Sequence, residues 1–148
     1  GRVVDLAGEP VRNVLIELWQ TDSTGVYLHN SSPNRSEYDQ NFQGFGRVLT
    51  GPGGEYYFRT LRPASHIENG VRRARHFHFA VIAEDRAPMY TQLYIAGEVL
   101  NENDPILNSI NDPQQRMSVV VPLLNDPEVA NSGQTMEFNF VLGFSQDE

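Results

Sequence analysis

RARHFHFAV, residues 73–81, places two histidines one residue apart inside an apolar run, in a chain with four histidines in all. Side chains alternate along a β-strand, so Phe77, Phe79 and Val81 fall on one face and His76 and His78 on the other. The first set reads as core and marks the stretch as a half-buried strand. The second set needs its own explanation.

The same alternation recurs outward from this strand. NVLIELWQ sets Val14, Ile16 and Leu18 against Leu15, Glu17 and Trp19. EYYFRTL, MYTQLYI, RMSVVVPL and TMEFNFVLGF are further short runs rich in β-branched and aromatic residues. In the last of them Met136, Phe138, Phe140 and Leu142 make one apolar face. Turn signals separate the runs at 7–10, 22–25, 51–54, 62–63 and 86–88. DPILNSIND, from Asp104 to Asp112, reads instead as a helix start, with Asp104 as cap and Pro105 in the first turn. The expected fold is all-β: a β-sandwich core of about seven or eight short strands, with one short helix near 104–112. The length of 148 residues predicts one domain over 1–148. A long loop, 27–44, carries Tyr27, His29, Tyr38 and Phe42, and loops of this length are often functional.

Composition narrows the chemistry. The net charge of −8, from 19 acidic and 11 basic residues, argues against nucleic acid or an anionic membrane as the main partner. All 11 basic residues are arginines, which excludes Schiff-base chemistry and a P-loop lysine. With no cysteine, thiol nucleophiles, iron–sulfur clusters, thiolate-bound zinc and disulfides are excluded as well. No apolar run approaches the ~20 residues that span a bilayer. GRVVDLAGEP at the start reads as strand and turn, not as a signal peptide. A cytoplasmic location is weakly favoured; the sequons at Asn30 and Asn34 leave secretion open.

Two readings of His76 and His78 stand on the residues alone. They are a polar pair on a solvated strand face, or two ligands to one metal. Cα atoms at i and i+2 of a strand lie ~6.5 Å apart, within reach of a shared ion at about 2.0–2.1 Å from each imidazole nitrogen. No G-x-S-x-G, H-E-x-x-H or G-x-G-x-x-G occurs, and GPGGEYY reads as a hairpin turn. The acidic stretch 101–104 lacks EF-hand spacing and reads as a solvated loop.

Five ordered pieces carry a resemblance: GEPVRNVLIELWQTDSTGVY, DQNFQGFGRVLT, GEYYFRTLRP, RARHFHF and TQLYIAGEVLNENDPIL. Together, over residues 1 to about 111, the chain resembles the intradiol ring-cleavage dioxygenases. The resemblance implies a β-sandwich and a ferric ion held by two tyrosinates, two histidines and a hydroxide or water. The H-x-H pair maps onto His76 and His78, and the tyrosine closing W-Q-x-x-x-x-G-x-Y maps onto Tyr27. Arg73, three residues before the first histidine, and Gln92, in T-Q-x-Y, map onto pocket residues. The arginine is the one expected to stabilise charge on the ring under attack.

The chain departs from the family at the second tyrosine, where FRTLRPASHIENG brings His66 to the aligned position. Three readings follow. His66 is the fourth ligand; or a spare tyrosine, best Tyr38, replaces the missing one; or the site is incomplete and the chain non-catalytic. Imidazole for phenolate leaves one more positive charge uncompensated, so Fe(III) is favoured less strongly and Fe(II), Cu(II) or Zn(II) compete. The implied activity joins a catechol-type diol and O₂ to give a muconate-type diacid. The alternative is a non-catalytic or altered-metal homologue, for example a copper protein, acting as a binding module or partner subunit. The resemblance also allows a homo-oligomer.

Overall fold

A computed structural model describes residues 1–29, 32, 34–84, 86–127 and 133–143. The sequon at Asn30 falls largely outside these residues. In chain order the strands are β1 (Val3–Val4), β2 (Leu15–Trp19), β3 (Phe45–Leu49), β4 (His66–Glu68), β5 (Val71–Arg73) and β6 (His76–Ile82). They continue with β7 (Met89–Ile95), β8 (Val120–Val121), β9 (Leu124–Asn125), β10 (Gln134–Thr135) and β11 (Phe140–Val141). Two short helices, α1 (Pro105–Asn108) and α2 (Pro113–Ser118), lie between β7 and β8.

A five-stranded sheet in the order β3-β2-β6-β7-β8 organises the molecule, antiparallel except where β8 runs parallel to β7. The register sets Ile16 opposite Val81 and Leu18 opposite Phe79, while Phe77 lies opposite Leu93. Their shared face is the core anticipated from the alternation. Ile16, Leu18, Phe77, Phe79, Val81, Leu93 and Ile95 are all buried in one cluster. Burying each such side chain contributes about 1.5–3 kcal/mol. The covering layer is assembled from smaller pieces. β1 pairs with β11, bringing Val3, Phe140 and Leu142 onto the cluster, with Met136 and Phe138 packed at its edge.

Three segments depart from the expectation. EYYFRTL joins no ladder beyond a single bridge at Glu55; Tyr56 and Phe58 pack on the core while the Tyr56 hydroxyl donates to the Phe138 carbonyl at 2.8 Å. Alternation here reports burial on one side without strand pairing. RMSVVVPL is divided between the end of α2 and β8. Asp112 and Pro113 start α2 as Asp104 and Pro105 start α1: each Asp side chain accepts from two backbone N–H groups of its helix. The 104–112 stretch therefore ends one helix and begins a second.

The opposite face of the sheet carries the chemistry. There Trp19 lies opposite His78, and His78 opposite Gln92. His76 lies opposite Tyr94. Strand alternation thus assigns one side of β6 to packing and the other to the site.

Candidate metal centre

The loop after β2 delivers Tyr27 to these histidines. Asp22 is fully buried, and its Oδ1 accepts from the Thr24 and Val26 N–H groups and from the Thr24 hydroxyl. Its Oδ2 accepts from Asp39 N at 3.0 Å, which pins the long loop back onto the turn. Gly25 has φ +95°, and a Cβ there would stand 2.6 Å from the Ser65 carbonyl oxygen. A side chain would push Tyr27 away from the next segment. Gln20, also buried, donates to the Thr21 and Leu61 carbonyls and accepts from the Thr60 hydroxyl. These bonds stitch 60–65 alongside the turn and lead directly into His66.

His66 sits on a hairpin formed by β4 and β5. Asn69 (φ 49°) and Gly70 (φ 79°) make its turn, and Asn-Gly is the pair that favours such a two-residue hairpin. Asn-Gly within HIENGVRR is a hairpin signal that period-two alternation does not register. Its register sets His66 opposite Arg73, bringing the departing residue beside the candidate pocket arginine.

Three donor atoms converge. The Tyr27 hydroxyl lies 2.9 Å from His78 Nε2 and 3.2 Å from His76 Nε2, and the two Nε2 atoms are 3.1 Å apart. Ligands at about 2.0–2.1 Å from one ion have donor separations of roughly 2.9–3.4 Å. His76 Nδ1 lies 2.7 Å from the Ala74 carbonyl, so Nδ1 carries the proton and Nε2 presents its lone pair to the cluster. Burial pushes His78 down to about 3 and His76 down to about 4; Arg73 and the neighbouring imidazoles push the same way, while the Ala74 bond partly opposes it at His76. Both rings are therefore neutral at pH 7, and three contacts share at most two protons. A cation satisfies all three lone pairs together.

His66 stands at the margin of this triangle. Its ring centroid is 5.0 Å from that of Tyr27 and 5.4 Å from that of His76, and its Nδ1 is buried without a hydrogen-bond partner. Burial lowers its pKa, as does Arg73. Tyr38 is engaged elsewhere: its hydroxyl donates to the Phe42 carbonyl at 2.8 Å and its ring packs on Phe42. Among the described residues no group of three His, Cys, Asp or Glu side chains is gathered as a metal site, so a ligand set here must include the phenol of Tyr27. Burial raises the Tyr27 pKa, an effect that Arg73 partly offsets, so a metal-free site holds a phenol.

Arg73 is 3% exposed and every side of its guanidinium is occupied. Nε donates to Asp104 Oδ2 at 2.9 Å and Nη1 to Glu68 Oε2 at 2.6 Å. Nη2 donates to Gln92 Oε1 at 2.9 Å and also approaches the Tyr94 hydroxyl and Asp104 Oδ1. Asp104, fully buried, further accepts from the N–H groups of Ala74, Ile106 and Leu107. One carboxylate thus joins the β5–β6 junction, two residues before His76, to the start of α1. The sequence marks Asp104 as a helix cap and as part of a solvated acidic loop; its burial and its long-range partners belong to the tertiary fold.

Beside His78 opens a cleft of about 270 Å³, between Trp19, Gln92, Tyr94 and the helix-side residues Ile106 and Ile110. The Trp19 ring stacks on His78 at 4.9 Å with 10° between planes, forming one wall. A larger groove of about 740 Å³ lies against Phe77, Phe79 and Phe138. It faces the apolar side of the sheet, away from the donor atoms, and is not the candidate site.

The family model described as Dioxygenase matches residues 1–143. The chain belongs to the intradiol-type ring-cleavage dioxygenases. It is 36% identical over 110 residues to the protocatechuate 3,4-dioxygenase beta chain of Burkholderia cepacia, covering 72% of this chain and 47% of that one. To the chlorocatechol 1,2-dioxygenase of Rhodococcus opacus it is 26% identical over 157 residues, covering 96% and 57%. The chain therefore spans about half the length of these relatives. Among solved structures, the dioxygenase domain of a dioxygenase–carbohydrate-binding protein fusion from Streptomyces sp. SirexAA-E superposes with TM-score 0.71 at 29% identity, covering 98% of this chain and 77% of that one. The catechol 1,2-dioxygenase of Acinetobacter sp. ADP1 gives 0.79 at 24% identity, covering 99% and 52%, and shows the same fold. Family membership agrees with a predominantly β sandwich with few short helices.

The buried histidines make the metal-free site acid-sensitive. Their folded pKa values lie below the unfolded 6.5, so the unfolded chain binds more protons between those values. Their stabilising contribution is complete above about pH 6.5 and is lost as pH falls towards 4 and 3. Chemical denaturation of metal-free protein should show stability falling steadily between pH 7 and about pH 4.5. A His76→Gln, His78→Gln double variant should lose markedly less over the same interval.

Proposed function

We propose that this chain carries the metal and substrate site of an intradiol ring-cleavage dioxygenase acting on a catechol-type diol. Tyr27, His76 and His78 would hold a non-haem iron, with His66 as fourth donor. The observation that carries this reading is the triangle of donor atoms at 2.9–3.2 Å beside a buried, unpartnered His66 Nδ1. When bound, ferric iron supplies Lewis acidity to the two catechol oxygens and redox chemistry towards O₂.

The chain's own residues do the rest. Ala74 fixes the His76 tautomer through Nδ1, and Trp19 holds the His78 ring by stacking. The cleft lined by Trp19, Gln92 and Ile106 would receive the ring of the diol. Neutral His66 has one basic nitrogen, so it would accept a catechol proton only when that nitrogen is not a metal donor. Arg73 is a positioning residue: its guanidinium holds Gln92, which lines the cleft, in one orientation.

Iron-loaded protein should consume O₂ with catechol and release a ring-opened diacid in equal molar amounts, followed by oxygen electrode and mass spectrometry. No ring-opened product from any of several catechols at full iron occupancy would overturn the catalytic reading. Loading with Cu(II) and Zn(II) in parallel tests the metal preference. Among the described residues no helix is long and apolar enough to cross a membrane.

A further inference from the structure

Gln92 and Tyr94 repeat on β7 the spacing of the two histidines on β6. The register sets Gln92 opposite His78 and Tyr94 opposite His76, so all four side chains share the site face of the sheet. Both β7 residues line the cleft beside His78. Tyr94 forms a buried part of that wall, and its ring packs on His76 with centroids 5.4 Å apart.

The Gln92 carboxamide is turned one way by its neighbours. Arg73 Nη2 and the Tyr94 hydroxyl both donate to Oε1, at 2.9 Å and 2.7 Å. A guanidinium has donors only, so the amide atom that meets it is the oxygen. Tyr94 has a single proton to give, and Asp104 Oδ1, at 3.1 Å, competes for it. Gln92 is the nearer acceptor, and Asp104 Oδ1 already accepts from the Ile106 and Leu107 N–H groups. Arg73 Nη2 spreads its protons over Gln92, Tyr94 and Asp104, whereas Tyr94 makes the shortest of the bonds to Oε1. With Oε1 held twice on the inner side, Nε2 is left as a donor on the cleft side.

Resting on the catechol reading above, we propose that Tyr94 is a positioning residue: it fixes the Gln92 carboxamide so that Nε2 donates to a diol oxygen in the cleft. The donor touches the substrate; Tyr94 acts only through it.

Two measurements test this. In metal-free protein the side-chain NH₂ resonances of Gln92, assigned by their loss in Gln92→Leu, should report a rigid group, with an NMR order parameter of about 0.85. In Tyr94→Phe the value should fall towards about 0.6. A mobile carboxamide in the wild type, or one equally rigid in Tyr94→Phe, overturns the positioning role. Calorimetric titration of iron-loaded protein with catechol, without O₂, reads the consequence. Tyr94→Phe and Gln92→Leu should each weaken binding about fivefold, the scale of one neutral hydrogen bond. The double variant should bind no more weakly than Gln92→Leu alone, because a residue acting through Gln92 has nothing further to lose. Additive losses, or unchanged affinity in Gln92→Leu, overturn the inference. An iron-loaded wild type that binds no catechol overturns the catechol site and the use of the donor there, a result distinct from the rigidity of the metal-free carboxamide.

Discussion

Replacing His78 with alanine should weaken metal binding by more than about a hundredfold and remove ring-cleavage activity with it. Loss of a supporting residue around a metal typically costs 10–100-fold, and His78 is placed to supply a donor atom directly. Its Nε2 lies within 3.1 Å of both other members of the triangle, so alanine opens the cluster on one side. It also removes the ring on which Trp19 stacks. Trp19 is the only tryptophan in the chain, so its fluorescence follows both the vacancy and metal addition. Competitive chelator titration gives the affinity. Wild-type affinity in His78→Ala would contradict the assignment.

Replacing Asp104 with alanine should destabilise the protein by about 3–5 kcal/mol, the cost of removing one partner from a buried ion pair. Arg73 is 3% exposed and Asp104 fully buried, so water cannot take the place of the lost carboxylate. The variant would also leave the Ala74, Ile106 and Leu107 N–H groups without their acceptor and remove the cap of α1. Asp104→Asn keeps the shape and one acceptor oxygen, so it should lie between the two. Urea denaturation measures the difference. A loss below about 1 kcal/mol in Asp104→Ala would mean that Glu68, Gln92 and Tyr94 satisfy the guanidinium without it.

Much of this was legible in β6. HFHFAVI alternates so strictly that a single reading gives the core face, with Phe77, Phe79 and Val81 buried, and places the histidines together on the other. Tyr27 was legible through the motif that follows Trp19, and the structure brings its hydroxyl against both imidazoles. What could not be read are the contacts that hold these pieces in place. Asp22 and Gln20 look like ordinary turn and strand-end residues, yet both are buried and tie the Tyr27 loop to 60–64. Glu68 looks like a solvent-facing hairpin residue until Arg73 is seen behind it. Such roles depend on partners far away in the chain, for which a local pattern holds no signal. The second helix is a different case: its Asp-Pro start repeats that of the first, but the β-branched run after Ser118 outweighed it.

The most direct test of the Tyr27 centre is the visible spectrum of Fe(III)-loaded protein, compared among wild type, Tyr27→Phe and Tyr38→Phe. Tyrosinate bound to Fe(III) gives a charge-transfer band in the visible region. The wild type and Tyr38→Phe should be coloured with the same band, and Tyr27→Phe should lose it while His76 and His78 still retain iron. A band that persists in Tyr27→Phe, or one lost in Tyr38→Phe instead, would contradict the account.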